Sequence, residues 1–160
     1  MPWNTLANLA TGQLVTETHM DNIREDIEFL AGLGVKGSAS DNVDRTTTST
    51  SFVDMTNMSV TITTYGNPVI LVYTGTVSNP TAGGGVNLDF TVDGTRQGGA
   101  SGLAQALGSL AYINTLIYPI LTLAAGSHTF KLQWKTTNAS YAAAAYGSSS
   151  TPTKLFVLGG

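Results

Sequence analysis

From Val43 onward, apolar residues return at every second position, and that period most limits the folds open to this chain. Met58, Val60 and Ile62 alternate with Ser59, Thr61 and Thr63. Val86, Leu88, Phe90 and Val92 alternate with Asn87, Asp89 and Thr91, and Phe130, Leu132 and Trp134 with Lys131 and Gln133. Successive side chains on a strand point to opposite faces, so this pattern predicts strands with one face in a core and the other in water. Two runs, 68–77 and 110–123, are nearly continuously apolar, as expected of strands covered on both faces, with Pro119 marking an edge or a bulge. Turn chemistry separates the runs: Gly66-Asn67-Pro68, the type I′ pair Asp93-Gly94, and Ala125-Gly126-Ser127, which places His128 in a hairpin turn. The closing stretch sets Leu155 and Val157 on one face and Phe156 and Leu158 on the other. About eight strands over 43–160 predict a mainly β fold, an antiparallel jelly-roll-like sandwich.

Residues 11–34 follow a different rule. Five of the ten carboxylates fall there: Glu17, Asp21, Glu25, Asp26 and Glu28. Thr16 or Thr18 offers an N-cap, Met20, Ile23, Ile27 and Leu30 make one apolar stripe at spacings of three, four and three, and Gly32 and Gly34 stop the run. The spacing predicts one short α-helix behind an extended arm that carries Trp3. A stripe of four residues does not hold an isolated helix, so it must pack, either on its own β-domain or on a copy of itself or another protein. The "GVKGSASDN" stretch at 34–42 reads as a linker. The predicted organisation is therefore an arm, helix and linker over 1–42, serving attachment, and a β-body over 43–160.

Charged residues make up only 11% of the chain, against about 25% in ordinary soluble domains. A chain this poor in charge is expected to have much of its surface covered by partners. The net charge of −3 argues against nucleic acid, which calls for a basic face. No cysteine is present, so disulfides and thiolate metal sites are excluded. The start lacks the features of a secretory signal, and no stretch approaches 18 uninterrupted apolar residues, so no membrane span is expected.

Chemistry is scarce. His19 and His128 have no second ligand at metal spacing, and Asp89 and Asp93 would approach a cation only if a neighbouring loop supplied more oxygens. The Gly-rich stretches lack the Lys-Ser/Thr of a phosphate loop, and no serine sits in a G-x-S-x-G elbow. No catalytic residue, metal or cofactor is expected, and the chain does not read as an enzyme. The Ala/Gly-rich segments 78–85, 96–110 and 138–150 would expose Leu103, Leu107, Tyr141 and Tyr146 in a lone monomer, which reads as contact between subunits. Tyr65, Tyr141 and Tyr146 are the residues that would stack on a sugar ring.

The N-terminal pattern carries a resemblance. Trp3, Thr11, Gly12, Val15, Thr16, His19, Asn22, Ile23, Arg24, Ile27 and Leu30 fit the W…T-G-x-x-V-T-x-x-h-x-N-x-I-R-x-x-I-x-x-L segment of small tailed-phage virion proteins. The β-part resembles the trimeric jelly-roll modules of phage appendages and tumour-necrosis-factor-like heads, with "TLAAGSHTFKLQW" at 122–134 matching their strand–turn–strand. The resemblance implies a structural protein at the virion surface, most simply a homotrimeric capsid decoration (cement) protein. It would dock on the major capsid protein or another virion protein through Trp3, Met20, Ile23, Ile27 and Leu30. Leu103, Leu107, Tyr141 and Tyr146 would lie at the trimer interface. The alternative it implies is a short tail fibre or baseplate appendage that binds carbohydrate.

Overall fold

A computed structural model of the protein describes Met20, residues 34–108 and residues 111–159. The chain divides into two compact units, Met1–Gly34 and Val35–Gly160, and the second is the β-body. The arm and helix expected over the first unit, with Trp3, Ile23, Ile27 and Leu30, lie outside the described residues; Met20 is exposed.

Eleven strands are formed by the described residues: β1 (Val35–Asp41), β2 (Arg45–Thr47), β3 (Val53–Tyr65), β4 (Val69–Ser78), β5 (Gly85–Val92), β6 (Thr95–Arg96), β7 (Ala104–Leu107), β8 (Tyr112–Ile120), β9 (Ala125–Thr136), β10 (Ala143–Tyr146) and β11 (Thr153–Gly159). Eight of them nest, each early strand antiparallel to its mirror in the later half: β1 with β11, β3 with β9, β4 with β8, β5 with β7. This ribbon folds over and is zipped by the pairs β4–β11 and β5–β9. The result is two antiparallel sheets, β1-β11-β4-β8 and β3-β9-β5-β7, which is jelly-roll topology. The short strands extend the edges, β10 and β2 beside β4, and β6 beside β5.

The period-two residues form the core between the sheets. Met58, Val60, Val69, Leu71, Tyr73, Val86, Leu88, Phe90, Phe130, Leu132, Trp134, Leu155 and Val157 are all buried. The Asp93-Gly94 turn is type I′ in character, with φ of 50° and 82°. Ala125-Gly126-Ser127 is not a turn: all three lie within β9, paired with Tyr65, Thr64 and Thr63. His128 is accordingly a strand residue opposite Ile62. The presumed linker also belongs to the body, because β1 pairs with β11 from Val35 to Asp41 and its Gly37 sits against Val60 and Ile62.

Strand β5 departs from the expected alternation, since Asn87, Asp89 and Thr91 are as buried as the apolar residues between them. The segment 96–103 covers them. Gln97 N donates to Phe90 O, Leu103 N to Leu88 O, and Asn87 Nδ2 to Ser101 O. Gly102, at φ 72°, is the close approach; any Cβ there would strike Leu88 O. Under this cover Asp89 accepts from Arg96 Nε at 2.7 Å and from Gly98 N at 2.9 Å. The Arg96 guanidinium and Lys135 Nζ both lie over the Phe52 ring, at 3.9 and 4.8 Å.

His128 faces acceptors at both ring nitrogens, Asp93 Oδ2 at Nδ1 (2.7 Å) and Ala124 O at Nε2 (3.0 Å). Only the imidazolium donates to both. The hydrogen bond to Asp93 holds the His128 pKa above its ordinary 6.5. The Thr129 amide, then His128, hold Asp93 below its ordinary 3.8. The contribution of His128 to stability is thus complete below pH 6.5 and lost as pH rises through the folded-state value; that of Asp93 is complete above pH 3.8 and lost as pH falls. An NMR titration of the His128 ring is expected to give a midpoint above 6.5 that returns toward 6.5 in Asp93→Asn. An unchanged midpoint in the variant would remove the pair from this account.

Candidate functional site

The outward face of the β1-β11-β4-β8 sheet breaks the pattern expected of a solvated strand face. Register places its side chains in rows. Val35, Leu158, Ile70 and Pro119 form one row across four strands, and Ser38, Phe156, Val72 and Ile117 form the next. A third row, Ser40, Lys154, Thr74 and Thr115, turns polar. Ile117 is 60% exposed, Val35 59% and Ile70 40%, while Val72, Phe156 and Leu158 are half-buried among their neighbours. Tyr112 and Leu121, at the ends of β8, are exposed too. The runs 68–77 and 110–123 are therefore continuously apolar because both faces carry apolar side chains, but this body covers only one of the faces.

The paired residues of these rows include no carboxylate. Their single charge, Lys154, reaches back over the Phe156 ring at 6.0 Å. The described carboxylates are engaged elsewhere: Asp41 by Arg45, Asp54 by Lys131, Asp89 by Arg96 and Asp93 by His128, with Asp44 accepting from Gly147 N. The last two pairs account for both carboxylates that the sequence offered to a cation. Among the described residues no three of His, Cys, Asp and Glu come together. No helix among them is long and apolar enough to cross a membrane.

Beyond the polar row, the same sheet ends in a cleft of about 360 Å³ lined by Asp44, Thr74, Gly75, Thr76, Tyr146, Gly147, Ser148, Thr151 and Pro152. A β-bulge between Thr74 and Val77 opens the floor, and β10 brings Tyr146 beside Thr76. The wall is tightly held. Asp41 takes Arg45 Nε at 2.7 Å and Val43 N at 3.2 Å, and its carbonyl accepts from Thr153 Oγ1 at 3.1 Å. The Arg45 hydrogen bond keeps the Asp41 carboxyl below the usual carboxylate range.

The four residues read as an interface from sequence take different places in the body. Leu103 packs on the core, Tyr141 is half-buried beside the 79–85 turn, Leu107 is exposed on β7, and Tyr146 lines the cleft. The Ala-rich stretch is neither loop nor free surface at its centre: Ala143, Ala144 and Ala145 are buried between β4 and β2. Buried Asn79 fastens it, donating to Tyr141 O at 3.0 Å and Thr136 Oγ1 at 3.2 Å. The signal that would have found the site was the run of apolar residues on both parities of 68–73 and 116–121, joined to Phe156 and Leu158.

No protein-family model matches the chain, and no curated protein matches it in sequence. Among solved structures, it is similar to a family 6 carbohydrate-binding module of lichenase 5A from Cellvibrio mixtus, at 15% identity over 79% of this chain and 98% of that one, TM-score 0.35. A xylan-binding domain of Xyn10C from Paenibacillus barcinonensis follows at 16%, 81%, 91% and 0.38. A pentameric capsid protein from metagenomic phage sequences matches at 11%, 94%, 87% and 0.31. Likenesses at these scores carry no argument about function, which rests on the residues of this chain.

Proposed function

We propose that this chain is a structural virion protein of a tailed phage, a homotrimeric capsid decoration (cement) protein whose β-body associates with copies of itself. It is not an enzyme in this reading. The observation that carries the assembly is the apolar outward face of the β1-β11-β4-β8 sheet. The face gathers the exposed Val35, Ile70 and Ile117 with the half-buried Val72, Phe156 and Leu158 into one patch across three neighbouring strands and β1, and a contiguous exposed apolar patch marks a surface that associates. The paired residues of its rows include no carboxylate to meet a basic partner, and their one cation, Lys154, is drawn over Phe156. Copies of this chain gathered about a threefold axis, each setting one part of this charge-poor face against a different part of its neighbour's, fit it best. Pro119 on β8 has no N–H to offer, so contact is through the face rather than by adding a strand at that point. The N-terminal segment, by its resemblance, is the part that docks on the major capsid protein or another virion protein.

Light scattering on the full chain is expected to give three times the 16.6 kDa subunit mass. Ile117→Asp with Phe156→Asp sets unpaired charge into a desolvated contact, which weakens association at least ~100-fold and leaves a monomer at micromolar concentration. The melting temperature of that monomer stays close to the wild type's, since neither side chain reaches the core. A wild-type monomer would sink the assembly. Gold-labelled antibody on purified particles tests the location, and particles without label would sink the virion reading.

A further inference from the structure

We propose that the cleft beside Tyr146 binds a neutral saccharide. Its volume of about 360 Å³ lies within the range of small-molecule sites. Its lining selects the ligand class by elimination. None of the lining residues is Lys, Arg or His, so nothing there recognises phosphate, sulfate or a sugar carboxylate. A single carboxylate, Asp44, with Oδ1 already accepting from Gly147 N at 2.9 Å, is too few oxygen ligands for a cation. Four hydroxyls, on Thr74, Thr76, Ser148 and Thr151, would be wasted on an apolar ligand. What remains is a molecule with an apolar C–H face and a hydroxyl rim. The Tyr146 ring, with the residue 39% exposed, supplies the platform for the C–H face. Asp44 Oδ2, which makes no hydrogen bond among the described residues, supplies the acceptor for the ligand's hydroxyls.

The site is built before any ligand arrives. Ser148 and Thr151 close their own turn, with Thr151 N donating to Ser148 Oγ at 3.0 Å and the two hydroxyl oxygens 2.8 Å apart. Gly147 lies so close to the carbonyls of Asp41 and Val43 that a Cβ would meet them at 2.9 and 3.0 Å, which fixes the loop carrying Asp44 against the end of β10. Little order has to be gained on binding, so a shallow cleft retains useful affinity. The proposal is independent of the assembly reading, because the cleft is open in a single subunit.

The test is an amide-shift titration of the full chain with tetrasaccharides of glucose, galactose, mannose, xylose and N-acetylglucosamine, each to about 10 mM, where even a Kd near 1 mM saturates. At least one is expected to shift Asp44, Thr74, Thr76 and residues 146–151 saturably. Tyr146→Ala is expected to weaken binding at least tenfold and Asp44→Asn by a similar factor, while Tyr146→Phe stays within about threefold of wild type. Thr95→Ala, at an exposed position of β6 on the other sheet, leaves binding unchanged, and each variant keeps the wild-type amide spectrum outside the cleft. No saturable shift from any of the five, undiminished binding in Tyr146→Ala, or tighter binding of sialylated or sulfated sugars would each overturn the proposal. The subunit mass, read separately, decides assembly whichever way the titration falls.

Discussion

Arg96→Ala is expected to cost the β-body about 3 kcal/mol, because it strips a fully buried carboxylate of its only charged partner. Asp89 lies under the 96–103 cover with no exposed surface and would keep a single donor, Gly98 N. The figure is set at the low end for a broken buried pair since the Arg96 side chain is itself 34% exposed. Arg96 also lies over Phe52 and donates to the carbonyls of Gly98 and Gly99, so its loss loosens the cover that hides the outer side of β5. For a domain of this size the melting temperature falls by roughly 6–12 °C. Adding Asp89→Asn to Arg96→Ala returns part of the loss, because the stranded group is then neutral. If thermal unfolding of Arg96→Ala matches the wild type within about 2 °C, the cover contributes nothing to the fold.

A chain starting at Val43 is expected to melt far below one starting at Gly34, or to fail to fold. The difference between them is β1. Without it β11 loses its antiparallel partner from Val35 to Asp41 and becomes a bare edge. Ala39 no longer packs on the core, and Gly37 no longer lies against Val60 and Ile62. Asp41 leaves too, releasing Arg45 and the Thr153 hydroxyl. Several backbone hydrogen bonds at about 1 kcal/mol each, with the uncovered apolar surface, amount to at least half of an ordinary domain's net stability. Circular dichroism on the two chains reads this directly, and equal melting curves would show β1 to be dispensable.

The sequence made the two-sheet fold legible wherever one face of a strand was apolar and the other polar, as at 58–63 and 130–134. It misled where a strand's polar side chains were hidden by other parts of the chain. Nothing local to Asn87, Asp89 and Thr91 says that residues 96–103 fold over them; that depends on Arg96 reaching Asp89 and on glycines that let backbone touch backbone. The stretch 35–41 read as a linker because Gly37, Ser38 and Ser40 are poor in apolar mass, yet its partner strand β11 supplies the order. The Ala-rich segment looked loose because small side chains are common in loops; here they are what fits between β4 and β2. The apolar face was visible as two runs without alternation, but register alone revealed that Phe156 and Leu158 join Ile70, Val72 and Ile117 in it.

Nested pairing has a consequence for how the body is made. The innermost pair, β5 with β7, spans few residues and is available soon after that stretch leaves the ribosome, whereas β1 waits for β11, over a hundred residues later. Such non-local pairs carry the loop-closure cost that slows folding. Until the final strand is synthesised, the edges of β1 and β4 that will receive it stand open together with the apolar side chains of β4 and β8. During translation this chain is therefore most prone to sticking to its neighbours through the open strand edges and apolar side chains that β11 later meets, and a slow step late in synthesis is where a chaperone would have the most to protect.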